Sequence, residues 1–347
     1  MTTLKNTWYV AAFADELVHG KLLGRTILNA PLVFFRQTDG KPVALSDLCP
    51  HRFAPLHKGK QIGNVVQCGY HGLEFGADGR CVRNPHGKTA PAGAKVRHYP
   101  LAERYGLVWI WPGDAEPDES LIPDEFAFMT EERLAHNRMY FHAQANYLLL
   151  LDNLMDVSHA LYLHAGSLSS EEMRDDYEPK VEINNGVTSL VIHQNGVNPP
   201  PFWASALPPE TKEVNVREIS RGHIPAMVMH EMVYMQPGDQ PYGERGASSR
   251  SAHFYTPETD GSTHYFYCLS RDFHRNSPEV HERIANEVRR IFTAEDIPMI
   301  EAQQKLIGGR DLMTMKPALL PTDKASVLMR RHLAGLIAKE GSVLAGS

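Results

Sequence analysis

The chain has 347 residues, with 35 Lys plus Arg against 41 Asp plus Glu, a formal net charge of −6 and 42% hydrophobic residues. Such a composition excludes a disordered or collagen-like chain, and the length exceeds what one compact core usually carries, so two packed domains are expected. The negative balance gives no electrostatic reason to bind nucleic acid or an anionic membrane surface, while 4 Cys against 18 His points to metal chemistry rather than a disulfide scaffold.

From Trp8 to Trp111 short apolar runs alternate with turn signals. Pro31 to Arg36, the turn Thr38-Asp39-Gly40 and Pro42 to Leu45 have hairpin spacing, and strands are predicted again at Asn64 to Gln67, Leu73 to Phe75 and Leu107 to Trp111. The breaker-rich, acidic stretch Pro112 to Asp118 marks a boundary, which places one domain over residues 1–114 and a second over residues 115–347. The second opens with a strand at Met139 to Ala143 and an apolar helix from Tyr147 to His164 that ends at Gly166. Strands follow at Val181 to His193, Ala226 to Met235, Ser251 to Tyr255 and His264 to Leu269. A helix from Ser277 to Ile307 is interrupted at Pro298, and a final helix runs from Asp323 to Lys339 and closes before Gly341. The expected fold is therefore an all-β domain followed by an α+β domain. Met1 to Ala12 lacks the pattern of an export signal and the longest apolar run, Tyr147 to Leu151, cannot cross a bilayer, so a cytoplasmic chain is expected.

Two constellations carry chemistry. Cys49-Pro50-His51 and Cys68-Gly69-Tyr70-His71 are separated by sixteen residues and offer two thiolates and two imidazoles. Either a structural zinc or a Rieske [2Fe–2S] cluster uses that donor set. Zinc fingers group Cys with Cys and His with His along the chain, whereas here each loop supplies one of each, so the cluster is favoured. Gly69 and Gly72 would let backbone N–H groups approach the bridging sulfides. The second constellation is Asp152-Asn153-Leu154-Met155-Asp156-Val157-Ser158-His159-Ala160-Leu161-Tyr162-Leu163-His164. Five residues turn a regular helix by about 500°, so His159 and His164 can share a metal only where the helix distorts or ends between them. Two imidazoles with one carboxylate form the facial triad of non-haem Fe(II) oxygenases. By spacing alone that carboxylate is open between Glu295 and Asp296.

The segments Cys49 to Leu56 and Cys68 to Leu73 resemble the cluster-binding segments of Rieske non-haem iron oxygenases, and within them the vanillate O-demethylase oxygenase components. The opening Lys5 to Ala12, the strand Val108 to Asp114 and the Asp-Asn-Leu-Met-Asp pattern at 152–156 fit the same family. The resemblance implies an N-terminal Rieske domain, and a catalytic domain with an antiparallel sheet flanked by helices. It implies one [2Fe–2S] cluster on Cys49, His51, Cys68 and His71, and one mononuclear Fe(II) on His159, His164 and Asp296. O2 is the implied co-substrate. Asp156 is the implied bridge from His159 to His71 of a neighbouring subunit in a homotrimer, with fixing the His159 tautomer as its simpler role, and Asn153 is a polar neighbour of the iron. No Gly-x-Gly-x-x-Gly follows a strand, so NAD(P)H would act through a separate reductase or ferredoxin, which Arg52, Lys58 and Lys60 could help to dock.

The implied reaction is O-demethylation of a methoxylated aromatic acid with release of formaldehyde. Ring or methyl hydroxylation of another arene is the alternative, and an electron-transfer or zinc-stabilised module the distant one. Phe202 and Trp203, in a family-like Pro-Pro-Phe-Trp segment, together with His253 and His230, are candidate substrate contacts.

Overall fold

A computed structural model describes residues 3–170, 173, 177–239 and 246–345, with side chains to residue 342. The chain divides into two compact units, one of residues 3–122 with 256–259 and one of residues 123–255 with 260–345. The division comes later than the break expected after Asp114, because the breaker-rich stretch is tied into the first unit. Asn6 Oδ1 accepts from the Ala115 N–H at 3.0 Å, the Trp111 indole donates to the Ala115 carbonyl at 2.9 Å, and the Trp8 indole donates to the Asp118 carbonyl at 2.8 Å.

The first unit is built from short antiparallel strands. A three-stranded sheet has the order β1-β11-β10 (Tyr9–Phe13, Leu107–Ile110, Leu101–Arg104). A four-stranded sheet has the order β2-β3-β4-β9 (Leu23–Ile27, Ala30–Arg36, Pro42–Ser46, His98–Tyr99). A second four-stranded sheet runs β5-β6-β7-β8 (Lys60–Ile62, Val65–Gln67, Glu74–Phe75, Cys81–Arg83). Strand β3 reads as an unbroken apolar run because both of its faces are buried. Leu32 and Phe34 pack into one core with Ala44, while Val33 and Phe35 pack into another with Val43, Leu45, Cys49 and Cys68. That second core carries the two metal-binding loops.

In the second unit seven strands form one antiparallel sheet, β12-β18-β17-β16-β15-β14-β13. They span Ala135–Ala143 (β12), Lys180–Asn184 (β13), Val187–Val197 (β14), Val214–His223 (β15), Met227–Met235 (β16), Ala247–Thr259 (β17) and Ser262–Arg271 (β18). The single strand expected from Val181 to His193 is a hairpin: Asn185 and Gly186 turn at φ 50° and 80°, which an Asn-Gly pair takes at little cost. Strand β15 was not foreseen.

The helices are α1 (Tyr147–Met155), α2 (Ala160–Leu163), α3 (Pro201–Ala204), α4 (Pro278–Ile291), α5 (Ile297–Ile307) and α6 (Lys324–Ala345). Three differ from expectation. The segment from Tyr147 is not one helix, since Asp156 leaves helical geometry at φ −141° and its side chain accepts from Ser158 N–H to start a new turn. The long C-terminal helix is irregular just ahead of Pro298 rather than at it: a π-helical turn, Phe292–Asp296, joins α4 to α5, which carries Pro298 in its first turn. Helix α6 runs past Gly341.

Candidate metal centres

The two Cys/His loops close in the same way. In the first, Cys49 N–H donates to the Ala54 carbonyl at 3.0 Å and Phe53 N–H to the Cys49 carbonyl at 2.8 Å. In the second, Cys68 N–H donates to the Leu73 carbonyl at 2.8 Å and Gly72 N–H to the Cys68 carbonyl at 3.0 Å. Each loop turns through the left-handed region at its fifth residue, Phe53 at φ 56° and Gly72 at φ 73°. Gly69 allows a close approach, for a Cβ there would stand 3.0 Å from the Lys58 carbonyl oxygen. The result sorts the four side chains by depth. Cys49 and Cys68 are each 2% exposed and face one another, whereas His51 and His71 lie at the surface with ring centroids 4.5 Å apart. Burial pushes the Cys49 thiol up, so its thiolate needs a cation at hand. His86, not singled out in the sequence, places its Nε2 3.0 Å from the His71 carbonyl. Arg52, Lys58 and Lys60 are exposed around these loops.

In the second unit His159, His164 and Asp296 converge, with ligand atoms all within 4.8 Å of one another. Asp296 Oδ1 lies 3.6 Å from His159 Nε2 and 3.2 Å from His164 Nε2. The other nitrogen of each imidazole is engaged elsewhere: His159 Nδ1 with the Asp156 carbonyl at 2.8 Å and His164 Nδ1 with Glu295 Oε2 at 2.6 Å. Both Nε2 atoms are thereby left to a metal. Helix α2 ends at Leu163, which lets imidazoles five residues apart meet. The π turn separates the two carboxylates left open by spacing: it directs Asp296 to the imidazole Nε2 atoms and puts its neighbour Glu295 behind His164, where Arg290 Nη1 donates to Glu295 Oε1 at 2.6 Å. Burial lowers both histidines; for His164 the Asp296 and Glu295 carboxylates outweigh it and the net shift is upward, while His159 stays lowered. Asn153 Nδ2 stands 3.4 Å from Asp296 Oδ1. The Asp156 carboxylate accepts from Ser158 N–H and from the Thr322 hydroxyl at 3.1 Å, so its link to His159 runs through its main chain rather than its carboxylate.

Residues 7–100 match the Rieske [2Fe-2S] domain, and residues 143–339 match the vanillate O-demethylase oxygenase C-terminal domain. The chain is 38% identical over 339 residues to the oxygenase component of dicamba O-demethylase from Stenotrophomonas maltophilia, covering 97% of this chain and 98% of that one. The chain belongs to the Rieske non-haem iron oxygenases. The oxygenase component of a chloroacetanilide N-alkylformylase from Rhizorhabdus wittichii is 36% identical over 341 residues, 97% of each chain. Crystalline dicamba monooxygenase bound to dicamba superposes with a TM-score of 0.90 at 36% identity, covering 99% of this chain and 100% of that one.

A [2Fe–2S] cluster and a mononuclear iron are the cofactors of this oxygenase. The donors present fit both: two thiols and two imidazoles on paired loops, and two imidazole nitrogens with one carboxylate beside a cavity. The cavity is lined on the sheet side by Glu218, His230, Met232, Ser249, Ser251 and His253, and elsewhere by Phe202, Trp203, Phe292 and the triad. Trp203 is buried and stacks on Tyr234 at 4.7 Å. His253 is held by Ser251 Oγ at 2.8 Å and the Tyr265 hydroxyl at 2.6 Å, and His230 Nδ1 by Ser220 Oγ at 2.9 Å. All four sequence-derived substrate candidates therefore reach the cavity. Cys81 and Cys268 are free thiols in strands, as expected. Among the described residues no helix is long and apolar enough to cross a membrane.

Proposed function

We propose that this chain is the oxygenase component that O-demethylates a methoxylated aromatic acid of the vanillate kind, with Cys49, His51, Cys68 and His71 holding the cluster and His159, His164 and Asp296 the iron. The observation that carries the reading is the convergence of two Nε2 atoms and one carboxylate on an aromatic-lined cavity. With open positions beside three protein ligands, the iron when bound supplies O2 activation.

The chain's own residues provide the rest. The Asp156 carbonyl and Glu295 fix the imidazole tautomers, Asn153 supports Asp296, and the apolar lining beside Phe202 and Trp203 orients a ring and keeps water out. His230, whose Nδ1 is held by Ser220 Oγ, turns its Nε2 to ring substituents, while His253, with both nitrogens held by Ser251 and Tyr265, offers its ring face. In balance, one oxygen atom of O2 enters the methyl C–H bond, and the other leaves as water with two electrons and two protons. The hemiacetal then splits to a phenol and formaldehyde.

The electrons come from NAD(P)H through a separate reductase or ferredoxin docking near Arg52, Lys58 and Lys60. A cytoplasmic homotrimer, in which Asp156 connects His159 to His71 of a neighbouring subunit, completes the proposal. Formaldehyde release from methoxybenzoates, with O2 and a reductant, tests the reaction. A hydroxylated product that keeps its methoxy group would sink it in favour of ring hydroxylation. The bridge is tested by Asp156→Asn: turnover should fall more than about tenfold with both iron sites filled, and normal turnover would remove that role.

A further inference from the structure

Strands β15 and β16 pair so that Ser220 lies opposite His230 and Glu218 opposite Met232, and β17 adds Ser251 and Ser249 to the same two rows. Glu218, alone among these, brings a carboxyl group into the cavity. Its Oε1 is 3.5 Å from His230 Nε2, too long for a hydrogen bond, and no Lys or Arg among the described residues lines the cavity. The hydroxyl of Tyr177, which also lines the cavity and feels the charge of Glu218, is buried with no hydrogen-bond partner among the described residues. Buried polar atoms left in this state cost stability unless something fills them, and a site that leaves them open is one built for a ligand's polar group. Burial also pushes the Glu218 carboxyl up to about 7 and the His230 imidazole down to about 4.

We propose that Glu218 is a specificity-determining residue that accepts a hydrogen bond from a phenolic hydroxyl on the methoxylated ring, with the Tyr177 hydroxyl beside it. The inference rests on the aromatic O-demethylase reading above and narrows its substrates to methoxyphenols, vanillate-like acids included, over methoxyarenes without a hydroxyl. Met232, opposite Glu218 in the sheet register, and Trp203 supply apolar surface for the ring.

Equilibrium binding to the metal-loaded enzyme tests this without turnover. The ligands are 4-hydroxy-3-methoxybenzoate and 3-methoxybenzoate, which differ only in the hydroxyl. The native enzyme should favour the hydroxylated acid by roughly tenfold or more. Glu218→Gln, whose amide oxygen still accepts, should keep most of that ratio, and Glu218→Leu should bring it to within about twofold of unity. Equal binding of the two acids by the native enzyme, binding of neither, or an unchanged ratio in E218L overturns the proposal. E218Q guards against a folding defect in E218L. Formaldehyde is measured separately, so failure of the demethylation reading leaves the binding ratio standing.

Discussion

The two metal-binding regions are made by opposite strategies. The Cys/His loops are local: each places its donors within four residues and closes on itself through two backbone hydrogen bonds. The His/His/Asp site is assembled from afar, with two ligands flanking the short helix α2 and the third in a turn of a helix more than a hundred residues on. A local site is carried by its spacing, whereas a distant one depends on where helices break.

The strongest test of that contrast is to remove one donor from the distant site. Asp296→Ala should abolish binding of the mononuclear iron and cut turnover by more than about a hundredfold, beyond the effect usual for an outer partner, while the cluster's visible spectrum is unchanged. Loss of both metals, measured as iron and acid-labile sulfide, would break the contrast. Next comes a residue acting through another: Glu295→Ala frees His164 Nδ1 and should weaken mononuclear iron binding by about 10–100-fold, measured by chelator competition.

Within the loops the same reasoning separates two equivalent positions. Gly72→Ala puts a Cβ in the left-handed region and 3.2 Å from Pro85 Cγ, and should cost about 1–2 kcal/mol in denaturant unfolding. Phe53→Gly, at a side chain 72% exposed, should change stability by under about 1 kcal/mol. An effect of similar small size concerns a long-range tie of the second unit. Glu125 takes Arg221 Nη1 and His223 Nε2, each at 2.6 Å, and although burial would raise its carboxyl, those bonds hold it below the usual range. A carboxyl lowered on folding stabilises above its unfolded value, about 4.3, and that contribution fades as pH falls through the folded value. Glu125→Gln should lower the melting temperature by roughly 2–4 °C at pH 7, with the gap to the native protein closing below about pH 4.

The paired loops proposed to hold the cluster were legible in the sequence because Cys49, His51, Cys68 and His71 need only spacing and two tight turns to come together. His159 and His164 were legible as a pair but not as a geometry, since the apolar pattern of 147–164 runs on unbroken through the point where Asp156 leaves the helix. Glu295 and Asp296 are neighbours whose roles depend on a π turn that no residue type announces, so the partner of His164 stayed hidden beside the ligand. Strand β15 escaped for a related reason. Its Arg217, Glu218, Ser220 and Arg221 hide the alternation of a buried strand, because one of its faces lines a cavity and the other is tied by ion pairs such as Arg217 to Glu231 at 2.8 Å.

That π turn makes the helix a ruler with one extra notch. An α-helix advances about 100° per residue, so a chain one residue shorter between Ile291 and Ile297 would arrive at the metal with a different side chain in front. The proposed third ligand is thus encoded in the length of the segment as firmly as in the identity of Asp296, and an alignment gap there would alter the chemistry while every histidine and carboxylate remained in the sequence.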